Sequence, residues 1–267
     1  MTFLQFGVMK ILILNQKIII FTIMKILFIA VFIVSFSRFG LASASKTINF
    51  KANDGLTVTA DLYLTESQSA PYIILFHQAG FSRGEYIEIA PKLNTLGYNC
   101  IAVDQRSGRE VNGVENLTHV EAVKQNKPTK YVNAIPDVIG AYNHVKNKLK
   151  ASKIIIWGSS YSASLVFYLA QKFPNHINGL LAFSPGEYFK IDKKPIKFFA
   201  KSVKCPVFIT SAKNEQSNWQ PIYDNVSSQK QFFLPTLKGN HGSKALWKEK
   251  KSHKEYWQAV IEFLKTI

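Results

Sequence analysis

From residue 72 onward the chain repeats one pattern: a short, continuously apolar run, then a longer stretch with helical spacing of its apolar positions. The runs fall at 72–76, 99–104, 153–157, 179–183, 207–210 and 231–234. A strand with one wet face alternates apolar and polar residues, so continuous runs of this length mark strands covered on both faces. Helices are expected between them at 85–96, 137–149, 161–172 and 219–225, with a closing helix at 253–265. Ahead of this series, 47–51 and 56–64 read as two strands joined by Ala52-Asn53-Asp54-Gly55, a turn in which Gly follows Asp. An antiparallel leading hairpin followed by strand–helix repeats predicts an α/β domain: a mostly parallel central sheet with helices on both faces.

Two connections stand out. The stretch 105–136 is long for a loop between elements, and long loops often serve function, so it is expected to carry part of a substrate wall. The stretch 184–206 is too short for a helical lid domain, which predicts an open or thinly covered site with little or no lid. No internal repeat, interdomain linker or low-complexity tract interrupts the pattern. With 267 residues, 47% of them apolar, one domain spanning 45–267 is expected.

Residues 1–44 are of a different kind. They contain no acid and are dominated by Ile, Leu, Phe and Val, with Lys10, Lys17, Lys25 and Arg38 as their only charges. Met24-Lys25, the apolar run 26–34 and Ala42-Ser43-Ala44 have the form of a secretory signal peptide with cleavage after Ala44. Residues 1–23 then read as an extended n-region or as sequence upstream of a start at Met24. Lys17 and Lys25 leave no uninterrupted apolar stretch near the ~20 residues a spanning helix needs. The expectation is an exported protein, periplasmic or secreted, with no stable membrane insertion after cleavage.

Charge narrows little. The chain carries 33 Lys and Arg against 17 acids, a net charge of +16; without residues 1–44 the basic count is 29 and the net charge +12. The lysines are scattered and accompany no nucleic-acid-binding motif, so they read as a solvated surface and no nucleic-acid partner is expected. Cys100 and Cys205 each open an apolar run and are expected to be buried and unbridged.

The candidate chemistry begins where Ile154-Ile155-Ile156-Trp157 runs into Gly158-Ser159-Ser160-Tyr161-Ser162 and then into a helical segment. In so tight a strand-to-helix turn the central residue is strained, and the positions two before and two after it must be small. Gly158 and Ser162 satisfy that around Ser160. The turn would lift the Ser160 hydroxyl at the carboxyl edge of the sheet, beside the free amides of a helix N-terminus.

This segment resembles the nucleophile elbow, G-x-S-x-G, of the α/β-hydrolases, with Ser162 in place of the final Gly. The resemblance runs from about Lys46 to the C-terminus. That family orders its residues nucleophile, acid, histidine. His241, in the Gly-flanked loop Lys238-Gly239-Asn240-His241-Gly242-Ser243 between the last strand and the last helix, matches the histidine. His119, His144, His176 and His253 lie in a loop, mid-helix, in a surface turn and among lysines, respectively. For the acid, the usual aspartate position looks like Asn214, which can orient a ring but cannot offset its charge. Glu215 beside it can do both, and Glu187 after the preceding strand is a third candidate.

The resemblance further implies an oxyanion hole from the backbone N–H of Tyr161 with that of Ala79 or Gln78, in His77-Gln78-Ala79-Gly80. His77 then braces its loop, and Tyr86, Tyr188, Phe189 and Trp219 are candidates for an apolar pocket. The short lid region looks closest to the dienelactone-hydrolase-like branch, whose typical members use Cys where this chain has Ser160. The implied activity is a serine hydrolase acting on a small-molecule acyl substrate, an ester, lactone or thioester, with no cofactor or metal. Asn214 and the net charge also admit a second reading, a silent domain of this fold that binds a ligand or an envelope partner.

Overall fold

The structure is a computed structural model that describes residues 45–67 and 69–267. The expected signal peptide, 1–44, lies outside the described residues. Eight strands are described: β1 Lys46–Lys51, β2 Thr57–Tyr63, β3 Tyr72–Phe76, β4 Asn99–Val103, β5 Ile154–Ser159, β6 Gly179–Phe183, β7 Val207–Thr210 and β8 Lys230–Phe233. They form one sheet in the order β1-β2-β4-β3-β5-β6-β7-β8. The hairpin β1–β2 and the pair β2–β4 are antiparallel, and every other pairing is parallel.

The helices are α1 Ile89–Thr95, α2 Leu117–Lys124, α3 Ile135–Asn143, α4 Tyr161–Lys172, α5 Ile196–Ala200, α6 Gln216–Asn225 and α7 His253–Leu264. Alternation along each central strand divides the core in two. Ile74, Phe76, Ile156, Leu180 and Ile209 face α3, α4, α5 and α6 on one side. Ile73, Leu75, Ile155, Trp157 and Leu181 face α1 and α7 on the other. This double covering is why the central strands read as continuous apolar runs. None of the described helices is long and apolar enough to cross a membrane. Cys100 and Cys205 are buried and unbridged, one in each half of the core.

Beyond α5, which the sequence reading lacks, and an earlier start for α6, three differences matter most. The expected helix 85–96 divides into a single 3-10 turn, Arg83–Tyr86, and α1. The helix expected from 137 starts at Ile135, with Pro136 in its first turn where a missing N–H costs nothing, and its end widens into a π turn, His144–Lys148. The connection 105–136 is no plain loop: it contains α2, capped by the Asn116 side chain accepting from His119 N–H at 2.8 Å, and a 3-10 turn at Tyr131–Ala134.

The order of the strands locates the crevice. The chain leaves β3 toward β4 on one side, and leaves β5 toward β6 on the other. Loops after β3 and β5 therefore diverge at the carboxyl edge, the usual place for a ligand in an open α/β sheet.

Candidate active site

Ser160 sits in that crevice, between β5 and α4, with φ 57° and ψ −120°. A non-glycine residue holds this left-handed conformation only where its surroundings enforce it. Its N–H donates to Phe183 O at 2.7 Å, tying the turn to β6. A Cβ on Gly158 would collide with the backbone of Ser162 and Ala163, so glycine is required there. Ser162 is more than a small residue: its hydroxyl donates to His77 O at 2.6 Å and accepts from Gln105 Nε2. It links the turn to the loop after β3, which glycine could not do.

The loop after β8 brings His241 over Ser160, Nε2 to Oγ 2.8 Å, and its Nδ1 lies 2.8 Å from Glu215 Oε1. Glu215 ends the 3-10 turn Lys213–Glu215 that follows β7. Its Oε2 accepts from Ser184 Oγ at 2.7 Å and Ala212 N–H at 3.3 Å. Burial works against its charge, but the hydrogen bonds from His241 and Ser184 prevail and hold the carboxyl below its ordinary value. An ionised carboxylate only accepts, so Nδ1 of His241 carries the ring hydrogen and Nε2 is left to accept from Ser160.

The other two candidates for the acid stand elsewhere. Asn214 is exposed, and its side chain makes no hydrogen bond among the described residues. Glu187 accepts from the N–H groups of Ile196 and Lys197, at 2.5 and 2.9 Å, and so satisfies the open amides at the start of α5.

Of the proposed oxyanion donors, Gln78 is excluded, because its N–H is already given to Glu85 Oε2 at 2.8 Å. The N–H groups of Ala79 and Tyr161 donate to no acceptor among the described residues. His77 braces this loop. Burial pushes its imidazole down to about 4, so the ring is neutral, and its Nδ1 donates to Gln78 O at 2.8 Å while Nε2 accepts from Gln105 N–H at 2.9 Å. The carbonyl it holds belongs to the same peptide unit as the Ala79 N–H.

Aromatic rings flank the serine. Tyr131 stacks on Tyr161 with centroids 4.8 Å apart and meets Phe189 edge-on at 6.3 Å. Tyr188 hydrogen-bonds Ser184 O at 2.8 Å. Burial and the Glu215 carboxylate push its phenol up to about 12. Tyr131 and Tyr188 are both exposed, at 41% and 39%, as rings facing a ligand would be. The long connection 105–136 thus brings Tyr131 against Tyr161, the residue after Ser160. Tyr86 and Trp219 lie in the core: both are buried, hydrogen-bonded to Phe76 O and Ser211 Oγ.

Sequence reasoning missed Ser184, Ser159 and Glu85. Ser184, at φ 55°, donates to Glu215 and accepts from Gly242 N–H at 2.9 Å, so it sets the acid and the histidine loop together. Its signal was a Ser-Pro-Gly string closing a buried strand. A Cβ on Gly242 would lie 2.6 Å from Ser159 Oγ, which explains the glycine after the histidine. Among the described residues no group of three or more His, Cys, Asp or Glu converges as a metal ion would need.

A model of the alpha/beta hydrolase fold family matches residues 71–202. A dienelactone hydrolase from Anabaena variabilis superposes with a TM-score of 0.67 at 11% identity, covering 85% of this chain and 99% of its own. The esterase Pf2001 from Pyrococcus furiosus gives 0.66 at 18%, covering 84% and 93%. An acylaminoacyl peptidase from Pyrococcus horikoshii gives 0.59 at 14%, covering 87% of this chain and 43% of its own. A comparison with curated proteins finds no match. The matched segment holds β3 through α5, with the loop after β3 and the sharp turn around Ser160, and the sheet on either side completes an α/β-hydrolase fold.

Proposed function

We propose that the protein is a serine hydrolase that cleaves a carboxylic ester, lactone or thioester through an acyl-enzyme on Ser160. His241 Nε2 takes the Ser160 proton as Oγ bonds to the substrate carbonyl carbon, and the carbonyl oxygen takes the electron pair and faces the Ala79 and Tyr161 amides. As the tetrahedral species collapses, His241 returns the proton to the departing alcohol or thiol. A water then repeats the sequence against the acyl-enzyme, releasing the acid and restoring Ser160.

One observation carries this reading: the 2.8 Å contact of the Glu215 carboxylate with His241 Nδ1, because only a carboxylate both fixes the ring and offsets the charge it acquires. A domain that merely binds would have no use for that pairing. The likeness to the Anabaena dienelactone hydrolase and the Pyrococcus esterase supports a small acyl substrate, as does the short stretch 184–206. A fluorophosphonate probe should label the folded protein once, at Ser160, as located by peptide mass spectrometry. Labelling of a different serine, or none, would sink the proposal.

The rings of Tyr131, Tyr188 and Phe189 favour a planar or aromatic group on one side of the scissile bond. Tyr131→Ala should raise KM for a phenylacetate or benzoate ester about tenfold, the loss of one aromatic contact, while leaving KM for an acetate ester within about twofold. Equal effects on both esters would remove the ring from substrate recognition.

A further inference from the structure

A wholly buried carboxyl that the proposed reaction does not consume lies beneath the site. Glu85, in the turn Arg83–Tyr86, accepts from Ser159 Oγ at 2.7 Å with Oε1 and from Gln78 N–H at 2.8 Å with Oε2. Ser159 Oγ in turn accepts from Ser243 N–H at 2.8 Å. Each of these three partners belongs to a different part of the site: Gln78 to the loop that carries Ala79, Ser159 to the turn that carries Ser160, and Ser243 to the loop that carries His241. Side-chain bonds close the bracket from behind, Trp157 Nε1 donating to Ser243 Oγ at 2.8 Å.

Resting on the reading of Ser160 as nucleophile, we infer that Glu85 is a positioning residue that holds the oxyanion loop, the nucleophile turn and the histidine loop in register. The peptide between Gln78 and Ala79 is gripped at its carbonyl by His77, and the peptide before it is gripped at the Gln78 N–H by Glu85. With both grips in place the Ala79 N–H has one direction in which to point. An oxyanion donor acts only when charge develops on the substrate oxygen, so its misalignment lowers the rate of reaction and spares binding. A carboxylate fits the hub as it stands, since it presents two acceptors and no donor, whereas an amide must turn its donor toward Ser159 and reverse that hydrogen bond. Burial without a paired cation is costly and pushes the Glu85 carboxyl up to about 7, with its hydrogen bonds and the Lys244 ammonium pulling the other way. A purely structural corner could be closed with apolar side chains at less cost.

The test compares wild type with Glu85→Gln, Glu85→Ala and Ser159→Ala, using hydrolysis of p-nitrophenyl acetate, the rate of fluorophosphonate labelling and thermal unfolding. Glu85→Gln keeps the bond to Gln78 and reverses the one to Ser159, whose hydroxyl must then turn its hydrogen elsewhere, so kcat and the labelling rate should fall about tenfold; in Glu85→Ala, which loses both, the fall should be about a hundredfold, the scale of one oxyanion donor. KM should stay within about threefold in each folded variant, and Ser159→Ala should resemble Glu85→Gln. The inference is overturned if folded Glu85→Gln and Ser159→Ala react and label like wild type, or if any loss only follows the fraction of protein unfolded. If wild type itself takes no label, the Ser160 reading fails and this one with it; if wild type is labelled and the variants are labelled as fast, only the role of Glu85 falls.

Discussion

Ser160→Ala lowers kcat on a p-nitrophenyl ester by about a million-fold and changes KM by less than about threefold. The size follows from what the side chain does under the proposed reaction: with no Oγ there is no acyl-enzyme, and water must attack the bound ester without a nucleophile to replace. The residual rate belongs to the Ala79 and Tyr161 amides and to binding, which the substitution leaves intact. His241→Ala should cost about as much, and the double variant little more, because the two residues act as one unit joined across 2.8 Å. The pattern is read from steady-state kinetics of the three variants; additive losses would mean that Ser160 and His241 do not share a step. The fold should survive, since alanine makes the same Phe183 bond through its N–H and keeps the strained backbone no worse than serine does.

Removing the carboxylate at Glu215 should be the next largest loss. Glu215→Ala leaves His241 free to turn and to hold its hydrogen on either nitrogen, and kcat should fall about ten-thousand-fold. Glu215→Gln can keep a bond to Nδ1 but cannot offset the imidazolium, so it should recover little of that loss. Asn214→Ala, on an exposed side chain with no hydrogen bond, should leave kcat within about twofold, a surface-scale effect. The reverse ranking would move the acid to Asn214. The contribution of Glu215 depends on pH with a definite sign. Because Glu215 is held below its ordinary 4.5 in the folded protein, its support is fully present above that value and is lost only as pH falls through the lower folded value. The same carboxylate stabilises the fold over the same range, which acid unfolding of wild type against Glu215→Gln would detect.

The runs 72–76, 179–183 and 207–210 coincide with β3, β6 and β7 because burial on both faces leaves no polar position to blur the ends. The helix Leu117–Lys124 escapes for the opposite reason. Its apolar residues Leu117, Val120 and Val123 face outward, and the side it buries consists of Thr118 and Ala122, so its periodicity points away from the core. At the site, chain order is enough to select Ser160 and His241 as a pair, since the loops that hold them follow β5 and β8 at the same carboxyl edge of one sheet. The choice between Asn214 and Glu215 depends on the phase of a single 3-10 turn, which one residue of offset reverses, and the charge argument alone separates them. Glu85 could not be placed at all. It reads as one more acid at a helix start, and its partner Ser159 lies 74 residues away in the chain.

The two cysteines lie on opposite faces of the sheet, Cys100 packed with α1 and α7 and Cys205 with the helices of the other side. Burial raises both thiols, that of Cys205 to about 12, and so suppresses the thiolate that oxidation and exchange require. Cohesion of the described domain is therefore indifferent to redox conditions. The same chain can fold in a reducing cytosol or an oxidising medium, with neither a bond to form nor a thiol to protect.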